Sequence, residues 1–329
     1  MAKRTIAVVA TGGTIACRDT GGGAVPQLSG ADLLRLVGVP ADLPTIEVIE
    51  FARLPGCEMT PRRMAELAQV VTRELAHEDC CGAVVTHGTD TIDESAFVCH
   101  LTVPPDKPVV FTGSLRNASD LSWDGPRNLL DALRVAAAPA AQGLGTALVI
   151  NEEIHAARFV IKSNGLLLGA FQSPACGPVG RIYGGTVRFV TRPLPPVRRL
   201  EPALDEAVAV VRALSGDTLS LTAILARPEL HGLVVEGFGS GRVPAAWAEP
   251  LHAAVQRGIA VVLASRTGAG MIGDPYGYAG SATNLLALGL IPAHELPGHK
   301  VRLQLMLALG NRLHGAALRA CFERGYDAC

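Results

Sequence analysis

Val8 to Arg18 reads "VVATGGTIACR": apolar residues run straight into Thr11-Gly12-Gly13-Thr14 and then back into Ile15-Ala16. An apolar run of strand length that empties into a glycine pair flanked by hydroxyls has the form of a buried strand ending in a turn. Outward from it, similar runs recur at Thr5 to Ala10, Thr45 to Phe51, Ala83 to Thr86, Val109 to Thr112 and Ala147 to Asn151. Segments of helical spacing lie between them. The clearest begins at Thr60-Pro61, an N-cap followed by proline in the first turn, and carries Met64, Leu67, Ala68, Val71 and Leu75 on one stripe. A second begins at Asp124-Gly125-Pro126, where the aspartate is suited to cap "RNLLDALRVAAA". Strands alternating with helices predict an α/β fold with a mainly parallel sheet flanked by helices.

The prolines at 193, 195, 196 and 202 suit neither a ladder nor a helix, so residues 191–205 are assigned to a linker. The expected organisation is a larger N-terminal domain over 1–190 and a smaller C-terminal α/β domain over 206–329. Strands are expected in the latter at Ala207 to Leu214, Gly232 to Glu236 and Ile259 to Ala264.

Composition narrows the function classes. In 329 residues, 49% hydrophobic and 18% charged, the chain can bury a substantial core. A formal net charge of -1 without Lys/Arg runs argues against nucleic-acid or membrane-surface partners, which are held through dense positive charge. A small-molecule ligand is the default. No apolar run reaches the roughly 18 residues of a membrane span, and the first apolar segment is short for a signal peptide, so a cytoplasmic location is expected. The eight cysteines are scattered without a C-x-x-C pair, which predicts reduced thiols and no zinc site.

Ligands of an open parallel sheet collect beyond the carboxyl ends of its strands. Two clusters fall there. Thr11 to Thr14 offers free backbone N–H groups and the Thr14 hydroxyl, or is a plain turn. In "VVTHGTDTIDESAF", Val84 to Phe97, a buried strand empties into His87-Gly88-Thr89-Asp90. A hydroxyl beside a carboxylate can bind an ammonium group or orient water; alternatively Thr89 or Asp90 caps the next helix. Lys162, a lone cation in "ARFVIKSNGLLLGAF", either snorkels outward or is buried beside a carboxylate and helps to activate a hydroxyl. Gly268 to Gly273 matches G-x-G-x-x-G, but "DPYGYAGSAT" follows where a helix N-terminus should hold pyrophosphate, so dinucleotide binding is rejected.

Taken together, "TGGTIA" (Thr11 to Ala16), "THGTDT" (Thr86 to Thr91), "GSLRNASDLSWDGPRNL" (Gly113 to Leu129) and the Arg158-x-x-x-Lys162 spacing resemble the bacterial L-asparaginase family of threonine amidohydrolases. The likeness covers nearly the whole chain. It implies asparagine hydrolysis without metal or cofactor, with glutamine as a possible second substrate and a weak amino-acid-binding protein on the same scaffold as the alternative. It also implies a homotetramer built as a dimer of dimers. By the same resemblance Thr14 is the nucleophile, Thr89, Asp90 and Lys162 form a proton-handling triad, and Gly88 and Ser114 line the substrate. Two positions depart from the family. Ala24 stands where the lid tyrosine is usual, behind Gly21, Gly22 and Gly23, and Gly56 or Cys57 stands where a carboxylate-binding serine is usual. The C-terminal candidates for completing a neighbour's site are Ser240, Arg242, Tyr276 and Tyr278.

Overall fold

The computed structural model describes residues 4–193 and 199–323. The chain divides into two compact units, Met1–Pro202 and Ala203–Cys329. The division falls inside the segment assigned to a linker, of which residues 194–198 lie outside the described residues.

The first unit opens with β1 (Thr5–Gly12), followed by the short strands β2 (Cys17–Asp19) and β3 (Ala24–Pro26) and helix α1 (Gly30–Val37). β4 (Thr45–Leu54), α2 (Pro61–Leu75), β5 (Cys80–Thr86), α3 (Ile92–Thr102), β6 (Val109–Thr112), α4 (Gly125–Ala137) and β7 (Thr146–Ile150) then alternate strand with helix. The unit ends on β8 (Glu153–Ala156), the two-residue strands β9 (Ile161–Lys162) and β10 (Phe171–Gln172), β11 (Gly180–Tyr183) and β12 (Thr186–Phe189).

Eight strands form one sheet in the order β12-β11-β8-β7-β6-β5-β1-β4. From β7 to β4 every neighbour is parallel, whereas β8, β11 and β12 are added antiparallel. β1 is buried along its whole length because helices cover both faces, and so its sequence is apolar without a break from Ile6 to Ala10 rather than alternating. Ile6, Val8 and Val9 are each fully buried, worth about 1.5–3 kcal/mol apiece, and a charge at any of them would break the strand. The chain leaves β1 for β4 on one side and returns to β5 on the other. Strand order therefore reverses between β1 and β5, and a crevice is expected beyond their carboxyl ends.

α2 starts as its sequence predicts: the Thr60 hydroxyl accepts from the Arg63 N–H, Pro61 occupies the first turn, and Met64, Leu67, Ala68, Val71 and Leu75 are buried. α4 starts differently. Asp124 is at the N-cap position, but its side chain makes no capping bond, because the carboxylate turns back to bind the preceding loop. α3 is buried on every face and lacks a stripe for that reason.

The second unit contains β13 (Val208–Arg212), α5 (Ser220–Leu225), β14 (Gly232–Gly237), α6 (Ala248–Gln256), β15 (Ala260–Ser265), α7 (Ala282–Ala287), β16 (Ile291–Pro292), α8 (Gly298–Gly310) and α9 (Gly315–Glu323). Its four strands are parallel in sequence order, around a core that includes Leu233, Val235, Trp247, Leu251 and Leu263. After Gly273 no helix begins until Ala282, so the glycine-rich match lacks the helix that a pyrophosphate site needs. No helix among the described residues is long and apolar enough to cross a membrane.

Candidate active site

Both glycine-bearing signatures fall at the reversal point. At the end of β1, the Thr11 hydroxyl donates to the Thr86 carbonyl at 3.0 Å, tying that strand end to β5. Gly13 then turns with φ 76°, a conformation that suits glycine, and Thr14 opens one turn of 3-10 helix. A Cβ on Gly13 would stand 2.3 Å from the backbone of Gly88, and one on Gly88 would stand 2.5 Å from the backbone of Gly56. Three loops thus meet backbone to backbone at three glycines. Thr14 and Thr89 each follow one of the touching residues, which is how signatures from distant parts of the chain come together.

Thr91 locks the third loop, its hydroxyl donating to the Gly56 carbonyl at 2.6 Å. Helix α3 takes Thr91 as its N-cap residue without a side-chain cap bond, so neither Thr89 nor Asp90 is spent on capping. Both turn to Lys162 instead. The Lys162 Nζ donates to Thr89 Oγ1 at 2.9 Å and to Asp90 Oδ1 at 2.7 Å. Lys162 is 16% exposed and Asp90 60%, so the ion pair lies at a mouth open to solvent, with the amine on the sheltered side. Of the two readings of this lysine, pairing with a carboxylate is the one found.

His87 underlies the cluster. It is fully buried, one ring nitrogen 2.8 Å from the Gly88 carbonyl and the other 2.8 Å from Ser95 Oγ. Burial pushes its pKa down to about 4, outweighing the opposing pull of the Gly88 carbonyl and the Asp93 carboxylate. It is a neutral strut beneath the Gly88–Thr89 peptide. The neighbouring loop after β6 is fixed by Asp124, whose carboxylate accepts from the Leu115 and Arg116 N–H groups and from Asn128 Nδ2. Ser114 is fully buried in that loop with its hydroxyl donated to the Arg116 carbonyl at 2.7 Å, which leaves its backbone rather than its side chain for a ligand.

The remaining candidates lie on other elements of the two units. Ala24 is exposed on β3, which pairs with β2 as a hairpin, with Asp19 opposite. Cys57 is exposed on a 3-10 turn next to Gly56. In the second unit Tyr276 and Tyr278 stack at 5.8 Å, both about half exposed, and the Arg242 guanidinium lies 5.5 Å from the Tyr276 ring. The Ser240 carbonyl accepts from the Gly273 N–H. Among the described residues no group of three or more His, Cys, Asp or Glu is disposed to hold a metal ion. The sequence reading missed Thr91, Ser95 and the loop-binding role of Asp124. A hydroxyl beside a signature is a weak signal, since its partner is distant in the chain.

A doubly wound sheet with a threonine–aspartate–lysine cluster at its reversal point defines a class of hydroxyl-bearing α/β sites. The particular family follows from comparison with known proteins. The family description "Asparaginase, N-terminal" matches residues 5–195, and "Glutaminase/Asparaginase C-terminal domain" matches residues 207–322. The chain belongs to the asparaginase family. It is 37% identical to a probable L-asparaginase of Deinococcus radiodurans, over 97% of each chain. It is 32% identical to an L-asparaginase of Bacillus licheniformis, over 97% of this chain and 100% of that one. Among solved structures, a probable cytoplasmic L-asparaginase from Campylobacter jejuni superposes with a TM-score of 0.86 at 31% identity, over 97% of this chain and 99% of that one.

Proposed function

We propose that this chain hydrolyses the side-chain amide of L-asparagine to L-aspartate and ammonia, with Thr14 as nucleophile. One observation carries the reading: an amine held 2.9 Å from the Thr89 hydroxyl and 2.7 Å from the Asp90 carboxylate, beside the loop that bears Thr14, in a chain of the asparaginase family. Thr14 Oγ1 attacks the amide carbon, the C–N bond breaks, and ammonia leaves with a proton. Water then cleaves the aspartyl ester and returns the threonine.

The triad suits the proton transfers this needs. Thr89 Oγ1 accepts from Lys162, so its own proton is free to be donated outward, and the adjacent amine stabilises the oxygen as it loses charge balance. Asp90, more exposed, holds the amine in place and presents its second oxygen to the substrate α-ammonium group. Gly56, Cys57 and the backbone around Gly88 and Ser114 take the α-carboxylate end, and Ala24 leaves the hairpin to close without a tyrosine hydroxyl. No cofactor or metal enters the scheme.

The enzyme is further read as a cytoplasmic homotetramer, a dimer of dimers, in which Ser240, Arg242, Tyr276 and Tyr278 complete a neighbour's site. Support comes from the half-exposed tyrosine pair and from the name of the Campylobacter relative. Ammonia release from asparagine and glutamine tests the central reading. The wild type should release it from asparagine, with kcat falling at least about 10²-fold in each of Thr14→Ala, Thr89→Ala and Lys162→Met. Tight calorimetric binding of asparagine with no turnover would instead make the chain a binding protein.

A further inference from the structure

Lys162 sits on a weak support. β9 and β10 pair over two residues each, Lys162 opposite Phe171 and Ile161 opposite Gln172, and a ribbon that short does not hold its shape unaided. The chain leaves the main sheet at the end of β8, where the Ala156 carbonyl accepts from Phe159 and Val160, and returns after β10. Within the excursion the Ser163 N–H and hydroxyl both donate to the Ala170 carbonyl, at 2.7 and 2.9 Å, so what ties the ribbon as a whole to the main sheet acts at its neck.

One buried polar pair closes the neck. His155, the penultimate residue of β8, is 1% exposed, and its Nδ1 lies 3.0 Å from Oγ of Ser173, which directly follows β10 and is 5% exposed. On the far side of the ring, the Glu153 carboxylate is 3.4 Å from Nε2, and it is held in turn by Arg181, its register partner on β11, at 2.8 Å. The Ser173 hydroxyl and the Glu153 carboxylate thus flank the ring on opposite sides. The Ser173 carbonyl is used as well, accepting from the Cys176 and Gly177 N–H groups.

We infer that Ser173 and His155 are positioning residues for Lys162, a buried clasp that sets where the Nζ meets Thr89 and Asp90. The inference rests on the amidohydrolase reading for its kinetic consequence. Misplacing a reacting group by about 1 Å can cost on the order of 10²-fold in rate, whereas substrate binding need not change. A clasp that acts only through Lys162 has no effect once the amine is gone.

The decisive comparison uses Ser173→Ala and Ser173→Thr, with and without Lys162→Met, in the full-length protein. In the wild-type background Ser173→Ala should lower kcat about tenfold or more with KM for asparagine within about threefold, and Ser173→Thr, which keeps the hydroxyl, should recover most of the rate. In the Lys162→Met background Ser173→Ala should cost nothing further. An equal loss in both backgrounds, or a change confined to KM, overturns the inference. A readout independent of turnover is available because the chain has only four lysines, Lys3, Lys107, Lys162 and Lys300. After reductive methylation with ¹³C-formaldehyde, the Lys162 signal, identified by its loss in Lys162→Met, should move toward that of a free lysine in Ser173→Ala while that of Lys107 stays. An unmoved Lys162 signal also overturns it. Should the wild type release no ammonia, the functional reading fails, and the NMR comparison still decides the clasp.

Discussion

At the scale of single residues, the two signatures differ in how openly they declare themselves. Thr11 and Thr14 flank the same glycine pair, yet Thr11 is a strand-end residue bonded to Thr86, whereas Thr14 opens the 3-10 turn beyond the glycines. Their order along the chain, one before and one after the turn, made this difference in placement legible in the sequence. His87 is the opposite case, since nothing in "VVTHGTDT" says whether its imidazole faces solvent or core. Its burial has a measurable consequence. An unfolded His87 titrates near the ordinary 6.5 and the native one only at about 4, so between those values the unfolded chain binds more protons and stability rises with pH. Going from pH 7 to pH 5 should cost the wild type about 2 kcal/mol through this group, and about 3 kcal/mol once pH 4 is passed, at about 1.36 kcal/mol per unit. Urea unfolding of wild type and His87→Gln at pH 7 and pH 5 checks this. The variant should show the smaller loss on acidification, and parallel losses would rule His87 out as the source.

At the scale of elements, the strands and α2 were legible because burial on two faces and amphipathic spacing leave direct marks on composition. The start of α4 was legible only as to place. Asp124 has the right residue type for a cap, and local sequence cannot register that three donors in the loop from Gly113 and in α4 compete for the same carboxylate. Bonds of this kind to a neighbouring loop outcompete a helix cap when the loop's own partly buried N–H groups would otherwise lack a partner. The β9–β10 ribbon was invisible for a related reason: two residues per strand make no pattern, and its position depends on His155 and Ser173. Asp124→Asn isolates the loop clamp, because it replaces an acceptor facing two backbone N–H groups with one that can turn a donor toward them. It should destabilise the protein by about 2–4 kcal/mol in urea unfolding, with kcat for asparagine reduced as the loop after β6 loosens. A loss under about 0.5 kcal/mol would mean that the loop is held by other bonds.

For the whole molecule, the arrangement poses the question of what completes the mouth of the site. Asp90 is 60% exposed, Ala24 supplies no hydroxyl, and Cys57 stands exposed beside Gly56, at the end proposed for the substrate carboxylate. A polar substrate held at such a mouth needs further partners, and the proposal that a second-unit cluster supplies them rests on Arg242 beside Tyr276 and on the stacking of Tyr276 with Tyr278. Homology alone does not say which copy of the chain these residues serve, and mixing inactive variants does. Thr14→Ala breaks one half of a shared site and Arg242→Ala combined with Tyr276→Ala breaks the other. If the halves come from different chains across a two-fold axis, dissociating and reassociating an equal mixture creates mixed pairs, each with one intact site and one doubly broken one. Activity should then return to about a quarter of the wild-type value per chain, since random pairing makes half the pairs mixed. If both halves come from the same chain, every site carries one defect in any mixture and activity stays at the level of the parents. Sedimentation of the mixture shows that exchange has occurred, so a flat result with confirmed exchange would assign the Arg242–Tyr276 cluster to its own chain or to no site at all.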